Sequence, residues 1–424
     1  MILSVDTYGI VDPKRPGQGI GDILKSDFKS VTLDIRGYID EEVLKRVNKK
    51  KRLDSVETDL KAIVDDPTVL LKRIDDVKKR LSGKAVKIDA VVSAPLPLDR
   101  SMPDYKDFII DITKKSIDIA CDLNSKYVVV PPISVRNSSK EEQSDNKHFY
   151  IMLADYLKSK GDLDLKILLI NQSLNFNGHF IRGAFTEPCE AVDWINDLNE
   201  IADKEIFAYC LDIGAANLCG CYIDEVINVL KDKIKMVLVS DNDGNHNQKL
   251  MPLSYRSKTA LGGDWAGTIS GLREIDFDGI LTMELKDTMT AYSALLRPEL
   301  MRLAAKVGEF IVWQLNMERA LTKYKHIVLF GAGNMCLNYM KCYGSKYPPL
   351  FTCDNNKNLW ETEFGGLQVK SPEVLKELSD DTAVFICNLY YRDIEQQLKD
   401  MGVKNIEFFS DEFMNNVNMN RVVR

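Results

Sequence analysis

The stretch "KMVLVSDNDGNHNQKLMPL", Lys235 to Leu253, passes from a short apolar run straight into a loop crowded with Asp, Asn and His. A β-branched run that breaks in this way reads as a buried strand whose carboxyl end carries polar side chains. The same unit recurs through the first 285 residues: "ILSVD" (Ile2 to Asp6), "VTLDIR" (Val31 to Arg36), "VKIDAVVS" (Val86 to Ser93), "YVVVPP" (Tyr127 to Pro132), "KILLIN" (Lys166 to Asn171), "FAYCLD" (Phe207 to Asp212), "KMVLVS" (Lys235 to Ser240) and "ILTMEL" (Ile280 to Leu285). Between them, segments such as "YKDFIIDITKKSIDIACDLN" and "EAVDWINDLNEIADK" place apolar residues at intervals of three and four, the period of a helix. Strands alternating with helices predict parallel pairing through right-handed crossovers. Eight such strands close a (β/α)8 barrel, with a doubly wound open sheet as the alternative.

After the eighth strand, "AYSALLRPELMRLAAKVGEFIVWQLNMERALTKYK" predicts a long helix interrupted at Pro298. The strand–helix rhythm restarts at "HIVLFGAGNM", with strands expected at His326 to Gly331, Pro349 to Asp354, Ala383 to Asn388 and Ile406 to Ser410, and helices at "SPEVLKEL" and "RDIEQQLKDMG". Gly331 and Gly333 follow a strand and open a helix, and Asp354 ends the next strand roughly 20 residues on, the context of a dinucleotide fingerprint. Its third glycine is replaced by Cys336. The expected organisation is a barrel over residues 1–295, a linking helix over 296–323 and a small Rossmann-like α/β domain over 324–424. A docking domain that has lost its ligand is the alternative.

With 45% hydrophobic and 28% charged residues, the 424-residue chain has the balance of a globular protein. Its net charge of −7 argues against nucleic acid, which favours basic surfaces. The lysine cluster "KRVNKKKR" (Lys45 to Arg52) reads as a solvated helix face. No stretch approaches the roughly 18 uncharged residues of a membrane span, and "MILSVDTYGI" has no basic segment leading into an apolar run. Nine cysteines, scattered except for "CGC" at Cys219 and Cys221, fit reduced thiols and a cytoplasmic location. Association into a homo-oligomer is left open.

In such a barrel, function sits where strands end. Those positions hold Asp6, Tyr8, Asp34, Arg36, Ser93, Pro131, Asn171, Gln172, Asp212, Ser240 to Asp243 and Glu284. The polar stretch "NQSLNFNGHFIRGAF" (Asn171 to Phe185) reads as a loop whose amides, His179 and Arg182 could meet hydroxyls or an anion. A lid in which Asn and Gly only make turns is the other reading. Asp241 and His246 are further binding candidates.

"CLDIGAANLCG", followed by "VLVSDNDGNHNQKLMPL" and "LGGDWAGTISGLREIDFDGILTMEL", resembles the last three strand–helix units of the xylose isomerase-like TIM barrels, a superfamily of sugar-phosphate isomerases, epimerases and apurinic-site endonucleases. The resemblance spans roughly residues 1 to 300. It implies a sugar or sugar-phosphate ligand and a divalent metal (Mn, Zn or Mg) held by acids and histidine at the strand ends. Asp212 and Glu284 match the ligand positions, but Asn171 replaces a Glu, and Ala215, Leu238, Asn247 and Lys249 stand where histidines or other ligands belong. Two inward carboxylates without a cation repel each other, so Lys249 is expected to neutralise Asp212 and Glu284 in place of a metal. The opposite reading has Lys249 pointing to solvent from a mobile loop. If chemistry survives, Glu284 is the expected base, with Asp212 and Lys249 as electrostatic partners and Lys249 or Arg182 polarising a carbonyl. In "GGDW" (Gly262 to Trp265), Asp264 is expected to cap a helix. "CDNNKNLWETEFGGLQVKSPEVL" resembles the small Rossmann-like domains attached to polysaccharide-biosynthesis and sugar-modifying proteins, a resemblance that implies a nucleotide or nucleotide-sugar ligand for residues 324–424.

Overall fold

The computed structural model describes residues 1–12, 15–38, 67–93, 105–254 and 263–414. The lysine cluster from Lys45 to Arg52 and Gly262 of the GGDW stretch lie outside them. The chain divides into two compact units: Met1–Asp264 with Glu274–Phe310, and Trp265–Arg273 with Ile311–Arg424.

In the first unit, strands β1 (Ile2–Asp6), β2 (Ser30–Asp34), β3 (Lys87–Val92), β4 (Tyr127–Val129), β5 (Lys166–Ile170), β8 (Phe207–Asp212), β9 (Ile234–Val239) and β10 (Ile280–Met283) close a barrel in the order β1-β10-β9-β8-β5-β4-β3-β2. Every pairing around it is parallel. The helices between strands include α1 (Gly17–Leu24), α2 (Pro67–Leu81), α3 (Tyr105–Asp122), α4 (Lys140–Ser159), α5 (Pro188–Ala202), α6 (Ile213–Leu218) and α7 (Ile223–Leu230). Ser139 and Glu142 form a reciprocal cap at the start of α4, satisfying backbone N–H groups that the helix leaves open.

The barrel interior is divided by chemistry. Ala90, Val92, Val129, Leu168, Ile170, Ala208, Cys210, Met236, Leu238 and Ile280 pack as one apolar cluster. On the neighbouring strands β10, β1 and β2, Thr282, Ser4 and Thr32 are buried and joined by hydroxyl hydrogen bonds, Ser4 to Thr32 at 3.0 Å and Thr32 to Thr282 at 2.9 Å. Because side chains alternate along a strand, the residues two further on face the same way. They are Asp6, Asp34 and Glu284, so a polar seam through the floor emerges at the mouth as three adjacent carboxyl groups.

The polar stretch after β5 is a β-ribbon, not an irregular loop: β6 (Ser173–Phe176) pairs antiparallel with β7 (His179–Arg182). Its two-residue turn, Asn177 and Gly178, has positive φ at both positions (52° and 87°), the turn that Asn-Gly favours because its twist matches paired strands. Pro298 also departs from expectation. It lies in the first turn of a helix (Arg297–Leu315) that follows a short one at Lys286–Ala291. A proline costs no hydrogen bond at that place, so it starts the helix that it was expected to interrupt.

The second unit carries a six-stranded sheet in the order β13-β14-β12-β11-β15-β16: β11 (His326–Phe330), β12 (Thr352–Cys353), β13 (Glu363–Phe364), β14 (Leu367–Lys370), β15 (Thr382–Ile386) and β16 (Ile406–Phe408). All neighbours are parallel except the edge pair β13 and β14. "SPEVLKEL" forms a 3-10 helix (Pro372–Glu377) in place of the expected α-helix. Its buried residues Pro372 and Leu375 stand three apart, with Leu378 a further three on at the C-cap, the period of that tighter helix. No helix among the described residues is long and apolar enough to cross a membrane.

Candidate functional site

Asp212 ends β8 and caps α6, its Oδ1 accepting from the Ala215 N–H at 2.9 Å. Asn171, at the end of the adjacent β5, clasps the Asp212 backbone: its Oδ1 accepts the Asp212 N–H at 2.8 Å and its Nδ2 donates to the Asp212 carbonyl at 2.9 Å. The Asn171 amide thus extends the strand ladder by one step and fixes the carboxylate that follows. In the next turn a Cβ on Gly214 would lie 2.8 Å from Ser240 Oγ, so a side chain there would displace that hydroxyl. Ser240 in turn sits 3.5 Å from Glu284 Oε2.

Lys249 reaches this pair from the segment after β9. Its Nζ lies 2.9 Å from Asp212 Oδ2 and 2.7 Å from Glu284 Oε2, and its side chain is 12% exposed. The backbone around it is pinned. Asp241 and Leu250 exchange two hydrogen bonds that close the loop at its neck. The Lys249 N–H donates to Asp287 Oδ2 at 2.6 Å, and the Asp287 N–H donates back to the Lys249 carbonyl at 3.1 Å. Burial alone would depress the ammonium pKa, but Asp212 and Glu284 outweigh it and hold it well above the usual lysine range. Lys249 is therefore a fixed cation and no amine nucleophile at neutral pH.

A second cation serves the polar seam. Arg36 follows β2 and grips Asp34 with Nε, at 2.7 Å from Oδ2, and with Nη2. The same Nη2 is 3.6 Å from Glu284 Oε1 and 3.8 Å from Asp6 Oδ2. Its guanidinium carbon lies 4.9 Å from the centre of the Tyr8 ring, with Lys286 Nζ 4.3 Å from that centre. Burial opposes the Arg36 charge, but Asp34, Asp6 and Glu284 together raise its pKa further. Glu284 therefore has one oxygen toward Lys249 and the other toward Arg36. Burial pushes its carboxyl above the usual range, with the neighbouring Asp212 adding to the rise and Lys249 opposing it. Asp6 is pushed well up, first by burial and then by Asp34.

Other candidates lie apart from these contacts. His179 is exposed on β7, and Arg182 pairs with Glu187, both half in solvent. His246 pairs with Asp243 at 2.7 Å and is 72% exposed. Gln172 is half-buried and turns its amide back onto the Ile170 and Asn171 carbonyls. Asp241 is buried and accepts from the N–H groups of Asn242 and Gly263. Arg36, Asp6 and Asp34 are the members of the cluster to which sequence reasoning gave no role. Their signal was the shared position at the ends of β1, β2 and β10, which become neighbours only when the barrel closes.

A divalent ion does not fit the residues present. The Lys249 ammonium occupies the space between the two acids, the Asn171 amide is spent on backbone, and Ala215 and Leu238 offer no donor. Among the described residues no group of three or more His, Cys, Asp or Glu is placed to hold a metal.

In the second unit, Gly331 has φ +120°, and a Cβ on it would lie 2.7 Å from the Cys387 carbonyl oxygen. The Asp354 carboxylate accepts from the Ala332 N–H and the Asn356 N–H, each at 2.8 Å. Gly333 caps the helix Asn334–Tyr343, and the space where its side chain would stand is open. Cys336, in the third glycine position, is fully buried in the core.

No curated protein matches the chain. Solved structures to which it is similar include a D-tagatose 3-epimerase-like protein (17% identity, 74% of this chain and 100% of that one, TM-score 0.49). Others are a xylose isomerase domain protein from Alicyclobacillus acidocaldarius (11%, 74% and 99%, TM-score 0.49) and a 3-keto-D-glucoside 4-epimerase from E. coli (9%, 73% and 99%, TM-score 0.47). Residues 323–409 match a family described as C2185-like, N-terminal. Residues 53–304 match the family described as xylose isomerase-like TIM barrel, and with more than half its length in that match the chain belongs to this family.

Proposed function

We propose that the barrel mouth binds a sugar or sugar-phosphate and supports metal-independent proton transfer of the isomerase or epimerase kind, with Glu284 as base and Asp212 and Lys249 as its electrostatic partners. The observation that carries this reading is the Lys249 ammonium within 3 Å of both acids, a fixed positive charge inside a buried carboxylate pair. Burial raises the Glu284 carboxyl above the usual carboxylate range, and a raised pKa makes a carboxylate the stronger base. Family membership supports a carbohydrate ligand, and Asn171 cannot act as a second base.

A non-catalytic sugar-binding or scaffold role is the second reading. It is favoured by the two cations that face Glu284, because ion pairing weakens a base. For the C-terminal unit we infer a Rossmann-like nucleotide or nucleotide-sugar site. Numbered within the unit, its parallel strands run 3-2-1-4-5, and the glycines lie where the order reverses, the crevice at which such sheets take ligands.

The test is solvent exchange. The protein is incubated in deuterated water with a panel of aldoses, ketoses and their phosphates, and label next to the carbonyl carbon is followed by NMR. Incorporation by the wild type that is lost in Glu284→Gln supports catalysis. Thermal stabilisation by a sugar without exchange, unchanged in Glu284→Gln, supports binding alone.

A further inference from the structure

Arg36 presents its guanidinium unequally. Nε and Nη2 are held by Asp34, and Nη2 also faces Asp6 and Glu284, but among the described residues Nη1 donates to no protein atom. The side chain is 25% exposed, twice as open as Lys249 at 12%. Asp34 fixes the plane of the fork and the Tyr8 ring supports its face. Lys249, by contrast, spends its charge on Asp212 and Glu284 in a buried bridge, and Arg182 is tied to Glu187.

We propose that Arg36 is the electrophile of this pocket, donating from Nη1 to the carbonyl oxygen of an α-hydroxycarbonyl ligand whose neighbouring carbon faces Glu284. The inference rests on the sugar-binding reading and assigns it a residue outside the positions the resemblance implied. In the forward step Glu284 takes the proton from the carbon next to the carbonyl. The C–H electron pair becomes the second bond between the two carbons, and the carbonyl π pair moves onto oxygen as an enediolate. The guanidinium hydrogen bond strengthens as that charge develops, which is the condition for stabilising a transition state over a ground state. The reverse step returns the proton from Glu284 to the former carbonyl carbon while the remaining hydroxyl proton of the enediolate passes to the former carbonyl oxygen, so the other carbon becomes the carbonyl and the site regains its starting protonation. Arg36 donates a hydrogen bond throughout and transfers no proton.

Two ligands separate the possibilities by titration calorimetry: D-arabinonohydroxamic acid, whose head mimics an enediolate once it ionises, and D-arabinonamide, which stays neutral. The proteins are the wild type, Arg36→Lys, and the double variant Asp34→Asn with Arg36→Gln, which replaces the ion pair by a neutral pair able to hydrogen-bond. The wild type is expected to prefer the hydroxamate, and both variants to weaken it about tenfold more than they weaken the amide, the scale of a lost charged hydrogen bond. Equal affinities in wild type and variants overturn the role of Arg36 while leaving the sugar site standing. Failure of the wild type to bind either compound overturns the sugar reading and the Arg36 role with it. In the wild type labelled with 15N-arginine, one guanidinium signal shifts on hydroxamate binding; no shift overturns the proposal without recourse to any variant.

Discussion

The two units hold their strand-end acids by different means. At the barrel mouth, Asp34, Asp212 and Glu284 are answered by the side-chain cations Arg36 and Lys249. At the sheet of the second unit, Asp354 is answered by the backbone N–H groups of Ala332 and Asn356. A backbone donor persists through any substitution of its own side chain except to proline, whereas a cation on a side chain can be deleted and leaves a buried charge behind. The mouth is thus the more fragile arrangement, and the one able to respond to a ligand.

Replacing the cation gives the largest effect. Lys249→Met should cost about 3–5 kcal/mol of stability in urea unfolding, the range for stranding a buried charge. Adding Glu284→Gln should recover part of that loss, because the two residues touch and their effects do not add.

Next comes pH. With the Asp6 carboxyl raised by burial and by Asp34, the folded chain keeps a proton that the unfolded chain releases above about pH 4. Stability contributed by this group is therefore present at low pH and falls as pH rises toward the folded value. Relative to Asp6→Asn, the wild type should lose about 1.4 kcal/mol per pH unit across that window. Parallel stability–pH curves would show that Asp6 is not perturbed.

On the other side of the comparison, Asp354→Ala removes the acceptor of two backbone donors and should cost about 1–3 kcal/mol, read as a lower thermal midpoint. The smallest effect is expected at the ribbon. Arg182→Ala breaks an exposed pair with Glu187 and should change stability by less than about 1 kcal/mol. A large loss there would mean that the ribbon takes part in the site.

Much of the barrel is legible in the chain because its strands are short apolar runs broken by acids, a pattern set by burial on both faces. β1 and β8 occupy the same residues in sequence and structure. The ribbon was obscured by its polar composition, although Asn177-Gly178 carried the turn signal. Contact between Lys249 and two acids could be argued from charge alone, since it needs only that the acids converge. The Arg36 cluster could not, because Asp6, Asp34 and Glu284 are separated by as much as 278 positions and meet only through closure of β10 on β1. The type of residue at Asn171 points to contact with a ligand, whereas its partners are the backbone groups of Asp212, a pairing that only the adjacency of β5 and β8 creates.

Lys249 puts its positive charge between Asp212 and Glu284, in place of a metal ion. The most direct test is elemental mass spectrometry of the purified protein before and after dialysis against Mn, Zn and Mg salts. No stoichiometric metal is expected under any of these conditions. One ion per chain, lost in Asp212→Asn and Glu284→Gln, would contradict it.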